Sequence, residues 1–272
     1  MSSHTTMAPT KEAILSLTGI SKSFGAVAAL KDIDLEVAPG EVVAVVGDNG
    51  AGKSTLVKVL SGVHSPDAGS ITFESRPETI PTPMAALNLG IATVFQDLAL
   101  CDNLNVINNL FLGRELSRYR LNEVEMETRS WELLKQLSAK IPSLHTPIAS
   151  LSGGQRQTVA IARSLLGNPK VIILDEPTAA LGVAQTAEVL NLVERLRERG
   201  LGVIMISHNM ADVQAVADRV AVLRLGKNNG TFRVADVTTE EVIAAITGAS
   251  DNVVSRRSAS RLPAPPTQES AS

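Results

Sequence analysis

The sequence predicts an α/β fold: a mainly parallel sheet covered on both faces, with a helical stretch inserted into it. Three observations carry that expectation. Short apolar runs alternate with helical patterns along most of the chain, as they do where parallel strands are joined by crossover helices. A glycine-rich loop at residues 47–55 stands between a buried strand run and a helix. From about Asp102 to Gly167 the apolar spacing turns mostly helical.

In chain order, residues 28–37 alternate as a strand, closed by the turn Pro39-Gly40. Residues 42–46 are apolar throughout and read as a buried strand, followed by a helix over about 53–62. Residues 71–73 and 91–95 are further strands. Within the helical stretch Trp131, Leu133, Leu134 and Leu137 fall at helical spacing. Strands return at 171–174, 203–206 and 220–225. Between the first two, Val189, Leu192, Val193 and Leu196 share one face at the 3.6 period. Residues 1–12 are polar and residues 250–272 are rich in Ser, Arg and Pro. Both read as disordered tails, because such composition buries too little apolar surface to offset its ordering entropy. Arg256, Arg257 and Arg261 offer charge to acidic lipid, but a solvated tail is the simpler reading.

Hydrophobic residues make up 44% of the chain and charged ones 19%. That balance suits a globular protein of one large domain, or a domain with a subdomain. A net charge of −3 gives no general electrostatic case for nucleic acid. Cys101 is the only cysteine, so no intrachain disulfide and no cysteine-rich metal site can form, and a reducing compartment fits. The first ten residues lack the apolar core of a secretory signal. The apolar runs are strand-length, far short of the roughly 20 residues that span a bilayer. A protein of this kind working at a membrane takes the crossing from another subunit.

Gly47-Asp48-Asn49-Gly50-Ala51-Gly52-Lys53-Ser54 fits the pattern of a phosphate cradle. Glycines let the loop wrap tightly and aim backbone N–H groups at phosphate oxygens, and the helix that follows adds the positive end of its dipole. In such a loop Lys53 reaches the β- and γ-phosphates and the Ser54 hydroxyl ligates Mg²⁺. A second anchor is Val171-Ile172-Ile173-Leu174-Asp175-Glu176-Pro177. Asp175 stands at the end of an apolar strand, where open sheets bind ligands, and can hold Mg²⁺. Glu176 can act as general base toward water. Taken alone, the two carboxylates read better as a solvated strand end; beside the phosphate loop the metal and base roles are the better reading. Leu151-Ser152-Gly153-Gly154-Gln155 precedes a helix; by itself it fits either a second anion-binding surface, serving a partner's nucleotide, or a plain glycine-rich cap. Gln96 and His208 say little alone, and a histidine after an apolar strand is more often structural.

Together and in this order, these residues resemble the ABC-family ATP-binding cassette over about residues 12–249. The resemblance assigns residues 47–55, through Thr55, to the Walker A loop and Gln96 to the Q-loop. It assigns 151–155 to the signature, 171–176 to Walker B with Glu176 as catalytic glutamate, and His208 to the switch histidine. Phe24, in Lys22-Ser23-Phe24-Gly25, falls where the family stacks an aromatic on adenine. The fold implied is a P-loop NTPase core with a mainly parallel sheet, an antiparallel β subdomain and an inserted α-helical subdomain. Within a cassette of residues 13–249, the helical subdomain covers about 102–167.

The implied chemistry is ATP hydrolysis with Lys53, Gln96, Glu176 and His208 as the catalytic set. Mg²⁺ is held by Ser54, Gln96 and Asp175. Two cassettes, here two copies of this chain, pack head to tail so that residues 152–155 of one complete the nucleotide site of the other. A transmembrane permease docks near residues 97–115, receiving solute from an extracytoplasmic binding protein. The cassette lies at the cytoplasmic face of the membrane, and no nucleic acid is expected. Leu98, Leu100, Leu104 and Val106 read either as a groove for a permease helix or as core.

One departure stands out: where the family usually has Ser-Ala-Leu-Asp, this chain has Ala179-Ala180-Leu181-Gly182. Ala-Leu-Gly resembles a variant of the monosaccharide (ribose, xylose, fructose type) importer cassettes. The stretches Ser61-Gly62-Val63-His64, Thr93-Val94-Phe95-Gln96-Asp97-Leu98 and Asn109-Leu110-Phe111-Leu112-Gly113-Arg114-Glu115 lean the same way. Two alternatives stay open. A soluble cassette acting on ribosomes or nucleic acid typically carries twin cassettes or long coiled-coil insertions, and neither is present. A low-turnover regulatory subunit draws on Gly182 but sits poorly with Glu176 and His208.

Overall fold

The computed structural model describes residues 12–114 and 122–249. The predicted tails, apart from Glu12, and Glu115 of the importer-like stretch lie outside those residues. The chain opens with β1 (Leu15–Phe24), β2 (Val27–Val37) and β3 (Val42–Val46), then enters α1 (Lys53–Leu60). Next come β4 (Ala68–Phe73), β5 (Arg76–Glu78), α2 (Pro83–Leu89) and β6 (Ile91–Val94). The helices α3 (Val106–Phe111), α4 (Glu123–Gln136) and α5 (Gly153–Leu165) follow. Then β7 (Val171–Asp175), α6 (Val183–Glu198), β8 (Gly202–Ile206) and α7 (Met210–Val216) alternate. The hairpin β9 (Arg219–Arg224) and β10 (Lys227–Arg233) and the helix α8 (Thr239–Thr247) complete the described chain.

The strands form two sheets. The larger has the order β10-β9-β3-β8-β7-β6; β9, β3, β8, β7 and β6 run parallel and β10 closes the edge antiparallel. The smaller, β2-β1-β4-β5, is antiparallel throughout. β3 shows how the two layers are joined. All five of its residues are buried. Val42, Ala44 and Val46 enter one core with α3–α7, while Val43 and Val45 enter the other with α1 and the antiparallel sheet. Side chains alternate along a strand, so a strand buried on both faces must be apolar at every position. At the far edge the Asn228 amide receives the Asp34 N–H and donates to the Asp34 carbonyl, at 2.8 and 2.9 Å. One side chain thereby ties the β10 edge to β2.

Several expectations shift in detail. β6 ends at Val94, leaving Phe95 exposed. β9 ends at Arg224; Leu225 and Gly226 take φ 50° and 78° as the two central residues of the β9–β10 hairpin, a twist-matched two-residue turn that needs positive φ at both positions. Of the helical-stretch residues, Leu133, Leu134 and Leu137 are buried, but Trp131 is 46% exposed. Val106 is fully buried in the core of α3 and α5, with Leu98 and Leu100 packed against it, so Val106 lines no surface groove. Among the described residues no helix is long and apolar enough to cross a membrane.

Candidate functional site

The site is assembled by topology. β3, β8, β7 and β6 lie side by side and parallel, so the residues that leave their carboxyl ends meet along one edge. In lateral order these are the Gly47 loop after β3, His208 after β8, Asp175 and Glu176 at the end of β7, and Gln96 after β6. This is where open parallel sheets bind ligands.

The loop from Gly47 to α1 is shaped by close contacts that exclude side chains. Gly47 has φ 155°, and a Cβ there would lie 2.2 Å from the Leu223 carbonyl oxygen. Gly52, the residue before α1, has φ 108° and faces the Ala29 carbonyl, where a Cβ would approach to 2.8 Å. Lys53 is buried, and its Nζ donates to the carbonyls of Gly47 and Asp48 at 2.6 and 3.0 Å. The ammonium is thus held within the curl of the loop. Asp48, Asn49, Gly50 and Ser54 are exposed, Thr55 is half-buried and Ala51 is buried.

Asp175 and Glu176 crowd each other. Burial first, and the neighbouring Glu176 second, push the Asp175 carboxyl above the ordinary aspartate range, with Lys53 and Lys58 opposing. Glu176 sits at φ 51°, although a residue preceding proline ordinarily takes extended backbone. Its N–H donates to the Ile206 carbonyl at 3.0 Å, and its Oε2 lies 2.5 Å from His208 Nδ1. The His208 side chain is 70% exposed, that of Glu176 only 14%. A carboxyl group shielded from solvent and an exposed imidazole at the rim therefore face one another.

Ser54 and Asp175 are hard oxygen donors, the chemistry Mg²⁺ selects, and a divalent cation relieves the crowding of Asp175 against Glu176. Among the described residues no cluster of three or more His, Cys, Asp or Glu is arranged to hold a metal. Mg²⁺ is commonly bound by one or two protein groups together with substrate phosphates.

Phe24, at the end of β1, is 45% exposed. Its ring meets His64 edge-on at 5.1 Å, and Lys22 Nζ lies 5.7 Å from the ring centre. Lys22 is in turn paired with Asp67 at 2.6 Å. Gln96 is exposed.

Leu151 is buried, and Ser152 caps α5 in a reciprocal box: Gln155 N–H donates to Ser152 Oγ at 3.3 Å and Ser152 N–H donates to Gln155 Oε1 at 3.0 Å. Gln155 Nε2 reaches the Lys140 carbonyl at 2.9 Å. Among the described residues no hydrogen bond joins residues 151–155 to residues 47–55.

Three further features escaped the sequence reading. Asp212, in α7, is only 4% exposed; it accepts from Thr178 Oγ1 at 2.6 Å and from Asn209 Nδ2 at 3.0 Å. Arg163, near the end of α5, donates to the Leu98 and Ala99 carbonyls at 2.6 and 2.7 Å, so the helix that begins at Ser152 grips the strip following Gln96. Asn109 is fully buried and bonds that strip at Cys101, Leu104 and Asn105. The only signal in the sequence is a polar residue inside an apolar helix, which does not name its partner.

Comparison with known proteins bears on the family and the fold. The ABC transporter family model matches residues 30–179. A xylose/arabinose import ATP-binding protein from Sulfolobus acidocaldarius is 44% identical over 235 residues, covering 86% of this chain and 94% of the relative. A fructose import ATP-binding protein from Rhizobium meliloti is 42% identical over 250 residues, covering 89% and 96%. A ribose import ATP-binding protein from Yersinia pestis is 41% identical over 239 residues, but there the match spans only 47% of the relative. Among solved structures, a nucleotide-free ATP-binding cassette from an ABC transporter superposes with TM-score 0.76 at 28% identity, covering 87% of this chain and 96% of that one. A dimeric cassette in a post-hydrolysis state with ADP and Pi gives TM-score 0.68 at 26% identity, covering 81% and 98%.

Proposed function

This chain belongs to the ABC transporter family, and from that premise we propose that it is the ATP-hydrolysing subunit of a monosaccharide importer. The observation that carries the reading is the meeting of Lys53, Asp175, Glu176 and His208 at the carboxyl edge of three adjacent parallel strands. The sugar-import names of the relatives, matched over nearly their whole lengths in two cases, support the solute class. We take residues 13–249 as the cassette, with a helical subdomain over about 102–167.

Catalysis of phosphoryl transfer is mostly positioning and charge stabilisation. The curl of residues 47–55 aims backbone N–H groups at the phosphates of ATP, and Lys53 sets its ammonium against them. Ser54, Gln96 and Asp175 would hold Mg²⁺, and when bound the ion would supply positive charge against the phosphate oxygens. Glu176 accepts the proton of the attacking water. His208, exposed and 2.5 Å from Glu176 through Nδ1, contacts the γ-phosphate. Phe24 offers a ring face to the adenine. A second copy of this chain brings its own Ser152–Gln155 cap to the nucleotide, so that ATP bridges two subunits and favours the closed dimer. The dimer works peripherally at the cytoplasmic face of the membrane on a permease docked beyond Gln96, fed by an extracytoplasmic sugar-binding protein.

Two measurements test the reading. Glu176→Gln keeps Mg-ATP affinity and loses nearly all hydrolysis, because the amide fills the same space but does not take the proton; wild-type turnover would remove Glu176 from the role of base. Uptake of labelled pentoses and hexoses falls in cells lacking this gene and returns with the wild-type chain but not with Glu176→Gln. Normal uptake of every sugar in the deletion, with a different solute failing, sinks the sugar assignment alone.

A further inference from the structure

Glu176 occupies a backbone conformation that its neighbours must enforce. It is a non-glycine residue at φ 51°, directly before Pro177, and such positions persist only where the surroundings over-determine them. On its amino side β7 fixes it through pairing with β8, and its own N–H is tied to Ile206. On its carboxyl side the turn is closed by the Ala179 N–H, which donates to the Glu176 carbonyl at 3.1 Å. Beyond Glu176 itself, a side-chain anchor that fastens this turn to the rest of the site is Thr178, whose hydroxyl donates to Asp212 at 2.6 Å.

Asp212 is placed to act in two directions. Its second oxygen accepts from Asn209 Nδ2 at 3.0 Å, and Asn209 is the residue after His208. Asn209 is itself fixed: its N–H donates to Ser207 Oγ at 3.0 Å and its side-chain oxygen caps Ala211 N–H at 3.0 Å. Asp212, 4% exposed, is thus a buried link between the turn carrying Glu176 and the turn carrying His208. The two functional side chains meet 2.5 Å apart at the mouth of this link.

We propose that Asp212 is a positioning residue which, through Thr178 and Asn209, locks the Glu176 turn to the His208 turn and sets the aim of the Glu176 carboxylate. This rests on the reading of Glu176 as the base. A misplacement of such a group by about 1 Å can cost on the order of a hundredfold in rate, whereas nucleotide affinity depends on the separate loop of residues 47–55. Loss of the link therefore lowers kcat and spares KM.

The experiment uses the full chain with Thr178→Val, which removes the hydroxyl and keeps the shape, and Thr178→Ser, which keeps the hydroxyl. We expect kcat for Mg-ATP to fall about tenfold or more in Thr178→Val, with KM within about twofold, and Thr178→Ser to stay near wild type. Asp212→Ala should lower kcat at least as far, and adding Thr178→Val to it should change nothing more, since both remove one link. If Asp212→Ala does not fold, the Thr178 pair decides alone. A kcat for Thr178→Val within about twofold of wild type, a KM rising in step with the loss, or a failure of Thr178→Ser to retain activity overturns the proposal. Glu176→Gln separates the two claims: if it abolishes turnover while Thr178→Val does not, only the positioning role fails.

Discussion

Replacing Asn109 with alanine should cost far more than a polar-to-apolar change in a helix usually does. The Asn109 side chain makes four contacts with the strip that follows Gln96: Oδ1 accepts from Cys101 N–H at 2.7 Å, and Nδ2 reaches the carbonyls of Cys101, Leu104 and Asn105 at 3.0, 3.2 and 3.0 Å. The three carbonyls keep other donors, namely the N–H groups of Leu104, Ile148 and Asn109. Among the described residues the Cys101 N–H has no other partner, so it would lose its bond. An unsatisfied buried donor costs about 1–3 kcal/mol, and the void left by the amide adds on the order of 1 kcal/mol. The sum, about 2–4 kcal/mol, corresponds in a chain of this size to a melting temperature lower by roughly 5–15 °C.

Thermal unfolding followed by circular dichroism reads the effect, with Asn109→Asp as the comparison. Aspartate keeps an acceptor for Cys101 N–H but turns a second oxygen toward three carbonyl oxygens, so its loss should at least equal that of alanine. A fall of less than about 2 °C in Asn109→Ala, or an aspartate that melts like wild type, would refute the bond assignment. Mg-ATP affinity well below the transition should not change, since the Asn109 side chain bonds residues 101–105 and not the loop of residues 47–55.

Mixing Ser152→Arg chains with Lys53→Ala chains should restore part of the hydrolysis each lacks alone, because one composite site then carries neither lesion; no rescue in confirmed mixed dimers speaks against a shared site. Gly182→Asp should stabilise the chain by roughly a few tenths of a kcal/mol, since residue 182 caps α6 with φ −74° and open space at its Cβ; a lower melting temperature would contradict that geometry. Asp175→Asn should abolish hydrolysis yet raise the melting temperature in metal-free buffer at neutral pH. The raised folded-state pKa of Asp175 means that its contribution to stability is full below the unfolded carboxylate range and is lost as pH rises through the raised value. The gain should therefore vanish near pH 3, below about the ordinary carboxylate pKa, and a gain that persists there would point to another cause.

The layered fold was legible where every residue of an element obeys one pattern. Val42–Val46 is apolar at all five positions and is buried on both faces. Val189, Leu192, Val193 and Leu196 keep the helical period and lie buried along α6. Periodicity reports which faces are covered but not by what, so the placement of β3 between β8 and β9 left no trace in the sequence. Leu225 shows a second limit: an apolar residue extending an apolar strand sits at positive φ in the turn, because hairpin register overrides local preference. Val106 shows a third, since the same leucine and valine spacing serves a groove or a core, and only the packing of α3 on α5 decides. The Thr178–Asp212 bond spans 34 residues and exists because β7 and β8 are neighbours; no local pattern encodes it.

The signature glycines carry a reading that the motif alone obscures. A Cβ on Gly153 would lie 2.7 Å from Leu181 Cδ2, and one on Gly154 would lie 3.1 Å from Gln185 Cβ. The start of α5 therefore leans on residues 181–185, the segment in which Gly182 replaces the family's usual aspartate. Substituting Gly153 or Gly154 would disturb this packing inside one chain, whatever either residue does for a neighbouring nucleotide, and a loss of turnover there has two causes that hydrolysis rates cannot separate. Ser152 is the cleaner probe: it is exposed, and among the described residues its side chain bonds within the capping box of its own helix. Loss of that cap costs about 1 kcal/mol, too little to unfold the chain. A collapse of hydrolysis in Ser152→Ala, with melting temperature nearly kept, would thus have to arise outside the chain that carries the change.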